Sequence, residues 1–162
     1  MAKLNKNSGF TLLEVIISVF VLSIGTLSVV GLISSGLQVA SVTKKAVIAA
    51  NLAQEGIEVV RGIRDGNWIQ IESYDNGLPA GDSCVDYNST EIINPCLGNA
   101  TTIYWDGAKY SHNSAGEPTD FTRTINIANA TDPEGLPYLR VQSIVDWDSR
   151  QIIVEDHLYD WR

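Results

Sequence analysis

The chain has 162 residues, 44% of them hydrophobic, and a formal net charge of -8. That leaves room for one compact domain with an extension and excludes a disordered chain. Nucleic-acid affinity rests on Lys and Arg neutralising phosphates, so 11 basic against 19 acidic residues argue against a broad polyanion-binding surface and disfavour nucleic acid as a partner.

The charge is uneven. Before Lys44 the charged residues are Lys3, Lys6 and Glu14, so the two parts of the chain suit different solvents. From Phe10 to Ile33 the sequence is almost wholly Leu, Ile, Val, Phe and small residues, long enough at ~1.5 Å per residue to cross a ~30 Å hydrocarbon core. A cleavable secretory signal has a shorter apolar core, roughly 7–15 residues, ended by a small-residue site; none follows here. A plain anchor would have no use for Glu14, because a carboxylate at the bilayer centre costs roughly 2.5–3.5 kcal/mol even on the mildest scale.

Gly9, Phe10, Thr11, Leu12, Leu13 and Glu14, preceded by a short basic leader, closely resemble the type IV prepilin processing signal shared by type IV pilins and the pseudopilins of type II secretion. The resemblance implies that a prepilin peptidase cuts after Gly9 on the cytoplasmic side, that residues 1–9 are a leader, and that Phe10 becomes an N-methylated N-terminus. It further implies that Glu14 pairs with the N-terminal amine of a subunit or its neighbour, a group that is cationic at neutral pH. Desolvation offsets much of that attraction, so its role is register and recruitment more than net stability. Residues 10–34 then form the transmembrane and polymerisation helix. Gly25, Gly31 and Gly36, with Ser18, Ser23, Thr26 and Ser28, allow close helix approach. Many pilins carry a proline near Gly31; here the first proline is Pro79.

Lys44 and Lys45 are placed to mark the far membrane interface. Beyond them, small or apolar residues at Val42, Ala46, Ala49, Ala53, Gly56, Val60 and Ile63 recur in steps of three and four, one stripe of a helix. The spacing predicts an amphipathic continuation over residues 35–65, ending near Asp65, and a head over 66–162. From Gly66 the composition shifts to Gly, Asn, Asp, Pro and Ser, the signature of loops and strands. Cys84 and Cys96 fall in "GDSCVDYNSTEIINPCLG"; outside the cytoplasm they form a disulfide, and otherwise they are two separate thiols. "TIYWDGAKYSH" offers Asp106-Gly107 as a two-residue hairpin turn. "FTRTINIAN", "YLRVQSIVDW" and "RQIIVEDHLYDW" read as strands, the last two antiparallel about a turn at Asp148 to Arg150. Alternation turns Leu139, Val141, Val145 and Trp147 toward the helix. The fold class is α+β: a long N-terminal helix packed on an antiparallel sheet, which is also the pilin architecture.

No catalytic residue, metal ligand or cofactor is assigned. "GDSC" at Gly81 to Cys84 resembles the nucleophile segment of chymotrypsin-like proteases but lacks the following glycines, and His112 and His157 read as solvated positions. Calcium on the acidic pairs Asp132/Glu134, Asp146/Asp148 and Glu155/Asp156 competes with a solvated surface. Sequons at Asn88, Asn99 and Asn129 read as chance matches in a bacterial product. Trp68, Trp105, Tyr104 and Tyr110 are either ligand contacts of the head or satellite packing. The resemblance implies a single-pass subunit of the bacterial inner membrane with its head extracytoplasmic, whose partners are the prepilin peptidase, the lipid bilayer, other pilin subunits and an inner-membrane assembly platform. "VLSIGTLSVVGL" is similar to minor pilins; a secretion pseudopilin and a filament-tip adhesin are the alternatives.

Overall fold

A computed structural model describes residues 11–96 and 98–160. The chain divides into two compact units between Lys44 and Lys45, and one helix, α1 (Leu12–Ile69), runs from the first into the second. The head sheet comprises β1 (Gly81–Ser83), β2 (Thr102–Trp105), β3 (Tyr110–Ser111), β4 (Glu117–Thr131), β5 (Pro137–Trp147) and β6 (Arg150–Tyr159). The strand order is β3-β2-β4-β5-β6, with β1 also paired to β4, and every pairing is antiparallel. The protein is therefore α+β with a pilin-like arrangement, as the sequence pattern predicts.

The strands alternate as a sheet with one covered face must. Phe121, Arg123, Ile125 and Ile127 of β4, and Leu139, Val141, Ser143, Val145 and Trp147 of β5, are buried. Against them α1 sets two patches. Ala49, Leu52 and Ala53 pack with Ile103, Phe121, Val145 and Trp147; Ile57, Val60 and Ile63 pack with Leu78, Val85, Ile125, Ile127, Leu139, Val141 and Leu158. Gly56 lies between these patches, where helix and sheet approach closely. A Cβ there would stand 2.6 Å from Ser143 Oγ and 2.7 Å from Ile125 Cδ1, so a hydrogen at position 56 and a small side chain at position 143 together set the packing distance.

The structure corrects two local expectations. α1 passes Asp65 and Gly66 and ends at Ile69, because the next side chains are held: Asn67 is buried and its Nδ2 donates to Asn76 O at 2.7 Å. Closure follows the Schellman pattern, with Glu72 N–H donating to Asn67 O (2.9 Å) and Ile71 N–H to Trp68 O (3.1 Å). Ile71 takes the left-handed position that glycine normally fills, at φ 62°. Second, the β2–β3 hairpin turns one residue later than Asp106-Gly107: Asp106 N–H donates to Lys109 O at 3.2 Å, leaving Gly107 and Ala108 at the tip, and Asp106 Oδ1 accepts the amides of Ala108 and Lys109, each at 2.9 Å. Lys45 Nζ contacts the head at Asp120 Oδ2 (2.7 Å) and Asp148 Oδ2 (2.6 Å). The β5–β6 connection falls at the expected place and is a two-residue turn, Asp148 and Ser149 at φ 44° and 62°, the backbone of a primed hairpin turn, with Arg150 already paired to Trp147 in the ladder.

Two substitutions test this packing in opposite directions, read by thermal unfolding of the full chain in detergent. Gly56→Val forces branched carbons into the Ser143–Ile125 contact and is expected to cost about 2 kcal/mol or more. Ile71→Gly relieves a β-branched residue at positive φ and, since that side chain is 85% exposed, forfeits no packing; the expected gain is about 1 kcal/mol.

Candidate functional site

Gly9 and Phe10 lie outside the described residues. Thr11 is the N-cap of α1: its Oγ1 accepts Glu14 N–H at 3.3 Å, and its carbonyl accepts Glu14 N–H at 3.1 Å and Val15 N–H at 3.2 Å. Thr11-x-x-Glu14 has the spacing of a capping box, a start signal the sequence reading passed over by treating Glu14 as an assembly charge alone. A carboxylate in the first helical turn gains about 0.3–1 kcal/mol from the helix dipole. That is short of the roughly 2.5–3.5 kcal/mol cost of a charged side chain at the bilayer centre. Capping explains where the helix begins; it does not make Glu14 at home in lipid.

The rest of this unit is built for a solvent without hydrogen bonds. Ser18, Ser23, Thr26, Ser28 and Ser35 each donate to a carbonyl four residues back, at 2.7–3.0 Å, so these hydroxyls are satisfied within the helix. Large apolar side chains from Leu12 to Val39 are exposed around the whole circumference, and the segment has a mean hydropathy of 2.5 over 18 residues. At 100° per residue, Ser18, Gly25 and Gly36 fall within about 40° of Glu14. A Cβ at Gly25 or Gly36 would meet nothing within 4 Å, leaving a smooth face that leads away from the carboxylate.

In the head, the polar centre is a residue the sequence reading did not single out. Arg123, 1% exposed, projects from β4 toward α1. Its Nη1 donates to Leu52 O (3.0 Å) and Glu55 Oε1 (2.8 Å). Its Nη2 donates to Val85 O at 2.5 Å and lies 3.9 Å from Asp86 Oδ1. The same Asp86 oxygen receives the backbone N–H and faces the ring Nδ1 of His112, each at 2.8 Å. Cys84, one residue before Val85, is joined to Cys96 by a disulfide with the Cα atoms 5.2 Å apart. Closing so short a loop is worth about 3 kcal/mol. Helix, bridged loop and sheet thus meet on one guanidinium. Burial pushes the Asp86 carboxyl up, but the hydrogen bonds from His112, with the charges of His112 and Arg123, outweigh it and hold the group below the usual carboxylate range.

The His112 side chain is largely buried, 8% exposed, and not solvated as its isolated position in sequence implied. His157 is open and faces Glu155 Oε1 at 2.9 Å. Ser83 of the "GDSC" segment is fully buried, and its Oγ accepts from Asn94 Nδ2 at 2.9 Å, which places it away from solvent. Trp105, Tyr110, Phe121 and Trp147 form a run of ring contacts with centroids 4.7–6.4 Å apart, in which Phe121 and Trp147 belong to the core and Tyr110 packs against it. Members of each acidic pair are engaged by the protein: Asp132 accepts Leu136 N–H, Asp146 accepts from Gln151, Glu155 from Gln142, and Asp156 from Arg61 at 2.7 Å. Among the described residues no group of three or more His, Cys, Asp or Glu is placed to hold a metal.

Against known protein families, residues 4–30 match the prokaryotic N-terminal methylation motif. No curated protein and no solved structure matches the chain. The chain carries a prepilin signal like that of type IV pilins and pseudopilins, on an apolar helix that fits a membrane-anchored subunit.

The Asp86 arrangement has a readable pH dependence. A carboxyl whose folded pKa is lowered stabilises the fold above its ordinary range and loses that contribution as pH falls through the depressed value. Asp86→Asn is expected to reduce stability at about pH 7 and to flatten the decline that the parent shows below about pH 4, measured by unfolding across that range. An equally steep acid limb in the variant would remove Asp86 from the account.

Proposed function

We propose that the chain is a structural subunit of a type IV pilus-like filament, a minor pilin, inserted in the bacterial inner membrane with its head outside the cytoplasm. Prepilin peptidase trims it after Gly9, Phe10 becomes the methylated N-terminus, and an inner-membrane assembly platform passes it into the filament, where it meets other pilin subunits. The observation that carries this reading is the match of residues 4–30 to the methylation motif, running directly into a helix that is apolar on every side. The Cys84–Cys96 bridge supports an oxidising compartment for the head. A pseudopilin of type II secretion shares all of these features and differs in the machine it enters.

Glu14 supplies the selectivity of assembly. Alone in lipid it is an uncompensated anion; beside the amine of a neighbouring Phe10 it is neutralised, so the carboxylate disfavours the unassembled state and wrong registers more than it strengthens the right one. Glu14→Gln is expected to leave leader removal intact and to lower incorporation into filaments about tenfold, the equivalent of ~1.4 kcal/mol, read by immunoblot of sheared filaments against membrane-retained subunit. Unchanged incorporation would sink this role. The amount of the chain relative to the main filament protein separates the minor reading, which expects trace stoichiometry, from a major one.

A further inference from the structure

Of the three sequons, the structure singles out one. Asn129 is exposed, but its backbone is held extended in β4, paired across the ladder with Leu139, and not in a turn. Asn99 lies in the 3-10 turn Gly98–Thr101, and the hydroxyl two residues on, Thr101 Oγ1, already donates to Gly98 O at 2.9 Å. Asn88 differs on both counts. It sits in the turn Asp86–Ser89, closed by Ser89 N–H to Asp86 O and by Asp86 N–H to Ser89 Oγ, each at 2.9 Å, and both Asn88 and Thr90 are exposed.

The base of this turn is clamped and its tip is clear. Asp86 is held by His112 and lies near Arg123, and the segment leaves the core at the Cys84–Cys96 bridge, so a bulky group on Asn88 disturbs no buried contact. Beside it the Tyr87–Thr90 segment and α1 enclose an open groove of about 570 Å³, lined by Glu55, Glu58, Gly62, Gly66 and Gln70. A Cβ at Gly62 or Gly66 would meet nothing within 4 Å, so the floor is open. Carboxylate and amide oxygens on its walls are acceptors suited to sugar hydroxyls.

From this placement we propose that Asn88 is the acceptor of an N-linked glycan, whose first sugars lie along the groove on α1. The donor class is an oligosaccharide carried on a polyprenyl diphosphate, used by a transferase on the extracytoplasmic membrane face. Asn88 Nδ2 attacks the anomeric carbon; the C–N bond forms as the C–O bond to the diphosphate breaks. The polyprenyl diphosphate leaves with the electron pair, the amide proton passes to a base on the transferase, and nothing is oxidised or reduced. Thr90 supplies the hydroxyl that completes the N-x-[ST] acceptor.

This inference rests on the export of the head in the proposed function, and the test separates the two. The full chain is isolated from membranes of the cells that make it, and its peptides are mapped by mass spectrometry, with the N-terminus and the Cys84–Cys96 bridge scored in the same digest. The Asn88 peptide is expected to carry a saccharide mass that is lost completely in Asn88→Gln and Thr90→Ala and retained in Thr90→Ser, Asn99→Gln and Asn129→Gln. A trimmed, disulfide-bonded chain with Asn88 bare, or with the saccharide on Asn99 or Asn129, overturns the glycan and leaves the filament reading standing. An untrimmed chain with its head in the cytoplasm overturns both.

Discussion

A helix that is apolar around its whole circumference cannot rest in water, and the rest of this protein is arranged around that constraint. From Leu12 to Val39, α1 exposes Leu, Ile, Val and Phe on every side, and each such side chain gains roughly 1.5–3 kcal/mol on leaving water. Lipid or other helices must supply that environment. The internal bonds of Ser18, Ser23, Thr26, Ser28 and Ser35 keep the segment compatible with either. Against this background Glu14 is the single discordant group, and the dipole energy available to it in the first turn is too small to reconcile it with lipid. In the proposed function a cation from outside the segment compensates it, and the methylation motif over residues 4–30 supports the amine at a neighbouring Phe10 as the proposed source.

In the head, the same helix changes its task. Its later turns bury one stripe on a sheet, and the distance between the two layers is set where Gly56 faces Ser143 and Ile125. Arg123 fills the polar gap in that interface. By reaching Leu52 O, Glu55 and Val85 O it makes the bridged loop part of the helix–sheet contact. Removing one member of such a buried pair leaves the other charge stranded, which generally costs about 3–5 kcal/mol, although the intact pair adds little net stability. The network therefore specifies an arrangement more than it strengthens one. It also leaves the Tyr87–Thr90 tip as a protrusion anchored at its base.

Much of this was legible in the sequence, for identifiable reasons. Continuous apolarity from Phe10 to Ile33 and the Gly9-to-Glu14 register are patterns of composition and order, and no tertiary contact is needed to see them. β4, β5 and β6 were readable because one face of the sheet is covered and the alternation is strict. What escaped depended on contacts between distant segments. Arg123 shares its alternation with Phe121, Ile125 and Ile127, so the inward direction was available, but its partners Leu52, Glu55 and Val85 are far away in sequence. His112 looked solvated because the carboxylate that holds it, Asp86, is 26 residues distant. The end of α1 was misplaced because Gly66 is an ordinary stop signal, whereas the packing of Asn67 carries the helix a further turn and leaves an isoleucine where glycine is usual.

The most direct test of the account is the identity of the first residue of the mature chain. Mass spectrometry of the N-terminal peptide from chain extracted from membranes should find Phe10 carrying one N-methyl group, with residues 1–9 absent. A chain that retains the leader, or that begins at any residue within or beyond the apolar helix, would contradict it, because Glu14 would then have no neighbouring amine at the depth where it lies.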